Sequence, residues 1–374
     1  MTHKERLETA WSYREADRVP IELGLSARYR AHPLAGRLVQ LVDEYVDNFH
    51  WVNGPVYGFF GFPAEYFEEV IEERPGEFRR LRHTQRTPIG DFTAITLHPA
   101  DSRDYHWEKR YIATIDDLRR LAEAKRPPLQ WDVAVWREGV AAVGESGIPA
   151  SLLFHPLGVL VRQSAMEEMY TWFYDERETV HRFLANMNGW VADGIGSLLA
   201  AGVGGVFLTY AHEMLIPPWF GAALFDEFVF PYDQAVNAVI HRHGGRIRAH
   251  CHGRCGDFLE RFVEMGIDAT EPLEHTPAGN TDLADAKRRV GGRMLLSGNV
   301  CSEMFYRMTA DEVRAEVKAA IAAAAPGGGF TLALSGAGTD DDDLDEFMPP
   351  VIKNCEVYIE AGLEYGGYPI KQGL

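Results

Sequence analysis

The fold class that the sequence predicts is a (β/α)₈ barrel of the TIM type, with one inserted antiparallel hairpin region. Two observations lead there. Short apolar stretches recur along the 374 residues, most followed by a helix-patterned segment, which is the pattern of a buried parallel sheet. Eight such stretches can be counted, at 19–23, 45–50, 149–154, 204–209, 246–250, 268–272, 294–298 and 329–334. A doubly wound open sheet would use the same alternation, but no G-x-G-x-x-G follows the first stretch.

In chain order, residues 3–16 read as a charged helix that ends before DRVPIEL, and VPIEL is the first strand. DEYVDNFHW holds the second. Residues 55–115 break the pattern: GDFTAITLHP and HWEKRYIATIDD read as antiparallel strands around a polar turn. The helix that follows, IATIDDLRRLAEA, has Thr114 or Asp116 as its cap. Strand and helix then alternate to the end, with long helices expected at 178–202 and 223–244. The whole chain is expected to be a single domain, with 55–115 as an insertion.

A formal charge of −18 argues against nucleic acid or an anionic membrane surface as partner. The acidic run 340–346 reads as a solvated loop, and Arg242, Arg246 and Arg248 leave room for a local basic pocket. Four cysteines make no disulfide framework in a chain of this length, and the charged N-terminus lacks the apolar stretch of a signal peptide. A cytoplasmic enzyme acting on a small organic substrate is the expectation.

In a barrel, ligands bind where the strands end. Tyr210, His212, Glu213, His250, His252, Glu271, Glu274, Asn299 and Ser335 all fall at such ends. In HCHG, His250 and His252 stand two apart, so a continuing strand points both the same way and turns Cys251 elsewhere. They suit a metal site, a substrate or acid–base site, or a structural pair. Cys251 and Cys255 are one residue too far apart for C-x-x-C chemistry. Glu271 and Glu274 should face opposite ways in an extended run, and Glu274, nearer the strand end, is the expected site residue. In YAHEM, His212 and Glu213 are candidates for substrate or metal.

Four segments, in order, resemble the uroporphyrinogen decarboxylase superfamily, which includes cobalamin- and coenzyme M-linked methyltransferases. ERLETAWSYREADRVPIEL is similar to its ER-x-x-x-A…DR-x-P opening. LFDEFVFPY is similar to its F-x-E-F-x-x-P-Y helix, and HCHGRCGDFLERFVEMGIDATEPLE to its His-x-Cys-Gly segment. LADAKRRVGGRMLLSGNV is similar to its K-x-x-x-G…G-N strand. The resemblance implies a (β/α)₈ barrel and a homodimer.

It also implies site residues. Where the decarboxylases carry R-Q-A-G-R-Y, this chain has GLSARY, so Arg28 and Tyr29 match the second arginine and the tyrosine, and Gly24 replaces the first arginine. The late active-site histidine is absent from LALSGAGTDDD. The methyltransferase branch holds zinc with His-x-Cys and a later cysteine. Here His250 matches the first ligand, His252 replaces the second, and the third falls near Gly336 or Ala337. A harder set drawn from His250, His252, Glu213 and Glu274 would replace it.

The function expected is methyl transfer from a small methylated or methoxylated donor to a corrinoid-protein acceptor. His250 and His252 would bind metal or polarise the donor, with Glu274 as ligand or proton acceptor. Tyr210, His212, Asn299, Arg28 and Tyr29 would hold the substrate. Decarboxylation of uroporphyrinogen or another carboxylated substrate is the alternative, and a non-catalytic corrinoid or small-ligand binding protein the third reading.

Overall fold

The structure is a computed structural model that describes residues 1–102, 104–335, 339 and 345–371, with the backbone alone for Glu303. Its strands are β1 (Asn48–Trp51), β2 (Glu65–Arg74), β3 (Phe78–Thr87), β4 (Gly90–Pro99), β5 (His106–Lys109), β6 (Gly147–Leu152), β7 (Val206–Thr209), β8 (Arg246–Cys251), β9 (Ala269–Pro272), β10 (Leu295–Val300) and β11 (Phe330–Leu334). A curled parallel sheet of seven strands runs β1-β6-β7-β8-β9-β10-β11, and a four-stranded antiparallel sheet runs β2-β3-β4-β5. Helices follow most parallel strands, so the chain is an α/β protein.

Seven of the eight expected stretches are strands of this sheet. The first, 19–23, is an isolated bridge of Ile21 to Leu332. It lies between the two sheet edges: Glu22 N–H donates to Leu332 O at 2.8 Å, and Asp47 N–H donates to Ile21 O at 2.6 Å. Asp47 fixes this segment further by accepting from Arg6, Arg18 and His3.

The inserted region is larger than the expected hairpin. β4 and β5 pair as read, but β2 and β3 add two long charged strands. EYFEEVIEER is exposed along almost its whole length, so it has no buried face to leave an apolar period. Cross-strand pairs such as Glu69–Arg82 and Glu73–Arg79 decorate it instead.

The first helix is His3–Trp11, shorter than the expected 3–16, and the expected 223–244 helix breaks at Val229 into Ala222–Phe228 and Phe230–Arg242. Pro231 opens the second of these, where its missing N–H costs nothing. Arg177–Ala200 is continuous, and Thr114, not Asp116, caps Ile115–Glu123 in a capping box with Asp117.

The period of two sorts each parallel strand into a face toward the helices and a concave face. At the N-terminal end of the concave face, Leu7, Ala10 and Trp11 of the first helix pack with Ile148, Ala269 and Leu295 in a small apolar cluster of their own. The main core lies between the sheet's outer face and the helices. No helix among the described residues is long and apolar enough to cross a membrane.

Candidate functional site

Above the apolar plug, the concave face carries a buried polar layer. Glu22 is its keystone. It accepts from Arg248 Nη2 at 2.7 Å, Ser297 Oγ at 2.8 Å and Thr331 Oγ1 at 2.5 Å. Arg248 Nη2 also donates to Glu271 at 2.8 Å, and the guanidinium stacks 4.2 Å over Phe49. Burial alone would lower the Arg248 pKa, but Glu22 and Glu271 outweigh it and raise it. Burial would likewise raise the Glu271 carboxyl, and Arg248 and His250 instead hold it well below the usual range. The expected basic pocket is therefore neutralised at Arg248.

A cavity of about 340 Å³ opens over this layer, lined by Glu22, Phe49, His50, Trp51, Arg248 and Glu271 with leucines and alanines. Its size suits a small ligand.

Along β8 the concave-face positions are Arg248, then His250, with His252 just beyond. The two imidazoles meet edge to face at 4.5 Å. Each has a carboxylate at Nδ1. Glu271 Oε1 is 3.5 Å from His250 Nδ1, and His252 Nδ1–H donates to Glu274 Oε1 at 2.9 Å. Gly253 N–H donates to the second Glu274 oxygen at 2.6 Å. The His252–Glu274 hydrogen bond raises the His252 pKa against the cost of burial. The Glu274 pKa falls: burial would raise it, but His252 and the Gly253 amide win.

The expectation that Glu271 and Glu274 face opposite ways does not hold here. Leu273 takes a left-handed conformation, φ 57°, which interrupts the alternation and returns Glu274 to the histidine side. Cys251 is fully buried.

The other expected residues are spread more widely. Tyr210 lies under the guanidinium of Arg162, 5.6 Å from its ring centre. Asn299 donates to Leu273 O at 3.0 Å, supporting the turn that carries Glu274. Arg28 is ion-paired with Asp345. Tyr29 is wholly buried in the main core, so its ring serves packing. Glu213, on the turn His212–Leu215 packed against β8, has a buried Oε2 with no hydrogen-bond partner among the described residues. Gly336, Ala337 and most of the 340–346 run lie outside the described residues.

His212 belongs to a different group. It is sealed from solvent, and its Nε2–H donates to Asp233 Oδ2 at 3.1 Å, so it is no substrate contact at the cavity. His155 Nε2–H donates to the same oxygen at 2.7 Å. Among the described residues these three form a set whose ligand atoms lie close enough to hold a metal ion. The hydrogen bonds favour protons instead. Gly158 N–H donates to His155 Nδ1 at 2.8 Å, so a neutral His155 carries its proton on Nε2, the atom a metal would need. Sequence reasoning missed His155 and Asp233. It also missed Glu22, although Glu22 follows the apolar VPI on the first stretch.

Residues 135–340 match the sequence model of the family described as Uroporphyrinogen decarboxylase (URO-D). The chain belongs to the uroporphyrinogen decarboxylase family. Curated relatives named uroporphyrinogen decarboxylase include those of Teredinibacter turnerae, 27% identical over 205 residues (52% of this chain, 53% of the relative), and Thioalkalivibrio sulfidiphilus, 28% identical over 257 residues (66% and 64%). The chain thus matches about half to two thirds of the length of these relatives. A solved methyltransferase from Methanosarcina mazei shares the fold, with TM-score 0.59 and 16% identity over 98% of this chain and 99% of that one.

Both Glu274 oxygens accept hydrogen bonds, from His252 and from Gly253, so this carboxylate backs a histidine. Among the described residues, the metal set expected from the sequence, His250, His252, Glu213 and Glu274, does not bring three ligand atoms close enough together to hold an ion, although the Nε2 atoms of both histidines are left unengaged by their carboxylates. Carboxylates behind ligating histidines are the usual outer shell of such sites.

Proposed function

We propose that this chain is a methyltransferase built on a closed (β/α)₈ barrel, taking a small methylated or methoxylated donor and passing its methyl group to a corrinoid held by a partner protein. The bridging of residues 19–23 between β11 and β1 supports closure. The observation that carries the functional reading is the pairing of the Arg248 charge with two carboxylates. Its guanidinium donates to Glu22, Glu271 and Ser297. A site for a substrate with many carboxylates needs free cationic donors, and none of the other described residues lining the cavity is a lysine or arginine.

In this reading the donor sits against Phe49 and Trp51 with its heteroatom toward His252. The Glu274 hydrogen bond raises the His252 pKa, so the ring can protonate the departing heteroatom as a general acid. His250, backed by Glu271, orients the same atom. The corrinoid would supply the methyl-accepting electron pair. A cavity of about 340 Å³ is small for such a macrocycle, so the carrier would present it from outside.

The test is methyl transfer to reduced cobalamin, followed by its visible spectrum, across a panel of methoxylated and methylated donors. Turnover that disappears in His252→Ala supports the proposal. Release of CO₂ from a freshly reduced porphyrinogen, with no methyl transfer, would favour the decarboxylase activity named for the curated relatives. Stoichiometric ligand binding with neither reaction would point to a binding protein.

A further inference from the structure

We propose that one buried water molecule is a fixed part of this protein, held by Asn188, Thr209 and His212 in a cavity on the helix side of the parallel sheet. The inference does not depend on the reaction.

Several segments meet at this place. His155 caps the helix Pro156–Gln163, Asn188 stands on Arg177–Ala200, and Thr209 ends β7. His212 opens the turn His212–Leu215, and Asp233 stands on Phe230–Arg242. Leu208 lines the concave cavity, so Thr209, one residue further along the strand, faces the helices. Asn188, Thr209, His212, His155 and Asp233 all line a second cavity, which shares no lining residue with the first. It leaves about 10 Å³ for the centre of a water molecule. That is room for one water, and an organic ligand does not fit.

The polar atoms of its wall are the second observation. Asn188 Oδ1, Thr209 Oγ1 and His212 Nδ1 are buried and have no hydrogen-bond partner among the described residues. Their residues are 5%, 4% and 1% exposed. Leaving one such atom bare costs free energy. Three of them around a space of water size are the surroundings that a buried water takes.

Donors and acceptors also match. Asp233 Oδ2 accepts from His155 Nε2 at 2.7 Å and from His212 Nε2 at 3.1 Å. A neutral His212 with its hydrogen on Nε2 presents a lone pair at Nδ1. Asn188 Oδ1 is a second acceptor, and the Thr209 hydroxyl is a donor. A water that donates to His212 and Asn188 and accepts from Thr209 satisfies all three atoms. A metal ion fits worse, because it would take the Nε2 position where the Gly158 amide keeps the His155 hydrogen. The water fixes the His212 tautomer, and with it the turn that carries Glu213 and packs on β8.

A crystal structure of the full chain, at a resolution that shows ordered water, tests the site. One peak should lie at hydrogen-bond distance from Asn188 Oδ1, Thr209 Oγ1 and His212 Nδ1. No peak there, or an ion at coordination distance from His155, His212 and Asp233, would overturn the proposal. Thr209→Val asks the same question in solution. If the hydroxyl had no partner, a methyl group in its place would leave the denaturant midpoint unchanged or raise it. With the water bound, the substitution removes one of its hydrogen bonds and the midpoint falls. Heteronuclear NMR of the unaltered chain should find the His212 hydrogen on Nε2; a hydrogen on Nδ1 would also sink the arrangement. If Thr209→Val does not fold, the crystal structure and the tautomer decide.

Discussion

Glu274 holds His252 by its Nδ1, with the carboxylate oxygen at 2.9 Å and the second oxygen clamped by the Gly253 amide at 2.6 Å. The tautomer and tilt of the ring are thereby set by a residue on a different segment. Glu274→Gln removes the charge and keeps the shape. The His252 pKa should fall, because the hydrogen bond it donates to Glu274 is the largest cause of its elevation. The ring would then lose its proton at lower pH. If His252 is the acid, the alkaline limb of the rate profile moves the same way, and the rate drops about 10- to 100-fold. Histidine NMR titration reads the shift without a substrate; an unchanged His252 titration would count against the dyad.

Arg248 is buried between two carboxylates. Arg248→Met leaves Glu22 and Glu271 facing each other without a cation, and should destabilise the protein by about 3–5 kcal/mol. Adding Glu271→Gln should restore part of the loss, since one of the stranded charges goes. Denaturant midpoints of the two single variants and the double variant measure the coupling.

Asp47 ties the 19–23 segment to the first helix. Burial alone would raise its pKa, but His3, Arg18 and Arg6 bring it below the usual value. A carboxyl with a lower pKa folded than unfolded contributes stability that is present above its unfolded pKa and is lost as pH falls through the folded one. Asp47→Asn should therefore lower the melting temperature at neutral pH and do progressively less below about pH 4. Melting curves from pH 7 down to pH 3 check the convergence.

Trp11 fills the N-terminal end of the concave face and is 3% exposed. Trp11→Ala should cost about 3–5 kcal/mol, through lost burial and the cavity left behind. Its indole nitrogen has no hydrogen-bond partner among the described residues, so Trp11→Phe gives up none of these and should cost far less. Unfolding curves of the two variants separate ring packing from the indole N–H.

The parallel strands were legible because they are buried on both faces and read as apolar runs. β2 was not, because a strand exposed along almost its whole length carries no hydrophobic period, and β3 was not, because its buried positions, Leu81, His83 and Thr87, stand among arginines and polar residues. The histidine pair was legible from its spacing alone, which put the two rings on one side of β8. Its backing was only half legible. The alternation rule separated Glu271 from Glu274, and the left-handed turn at Leu273 that reunites them leaves no mark in the residue pattern. The Arg248–Glu22 contact spans 226 residues of chain, beyond the reach of any local motif. His155 and Asp233 stayed hidden for the same reason.

The helix His3–Trp11 stoppers one end of the concave face. Whatever enters the cavity must leave by the doorway it came through. In the proposed methyl transfer, a macromolecular acceptor docked over that doorway would trap the demethylated product beneath it, so turnover would require the acceptor to undock before the product escapes. At saturating acceptor, the residence time of that complex, and not bond cleavage, would then set the pace.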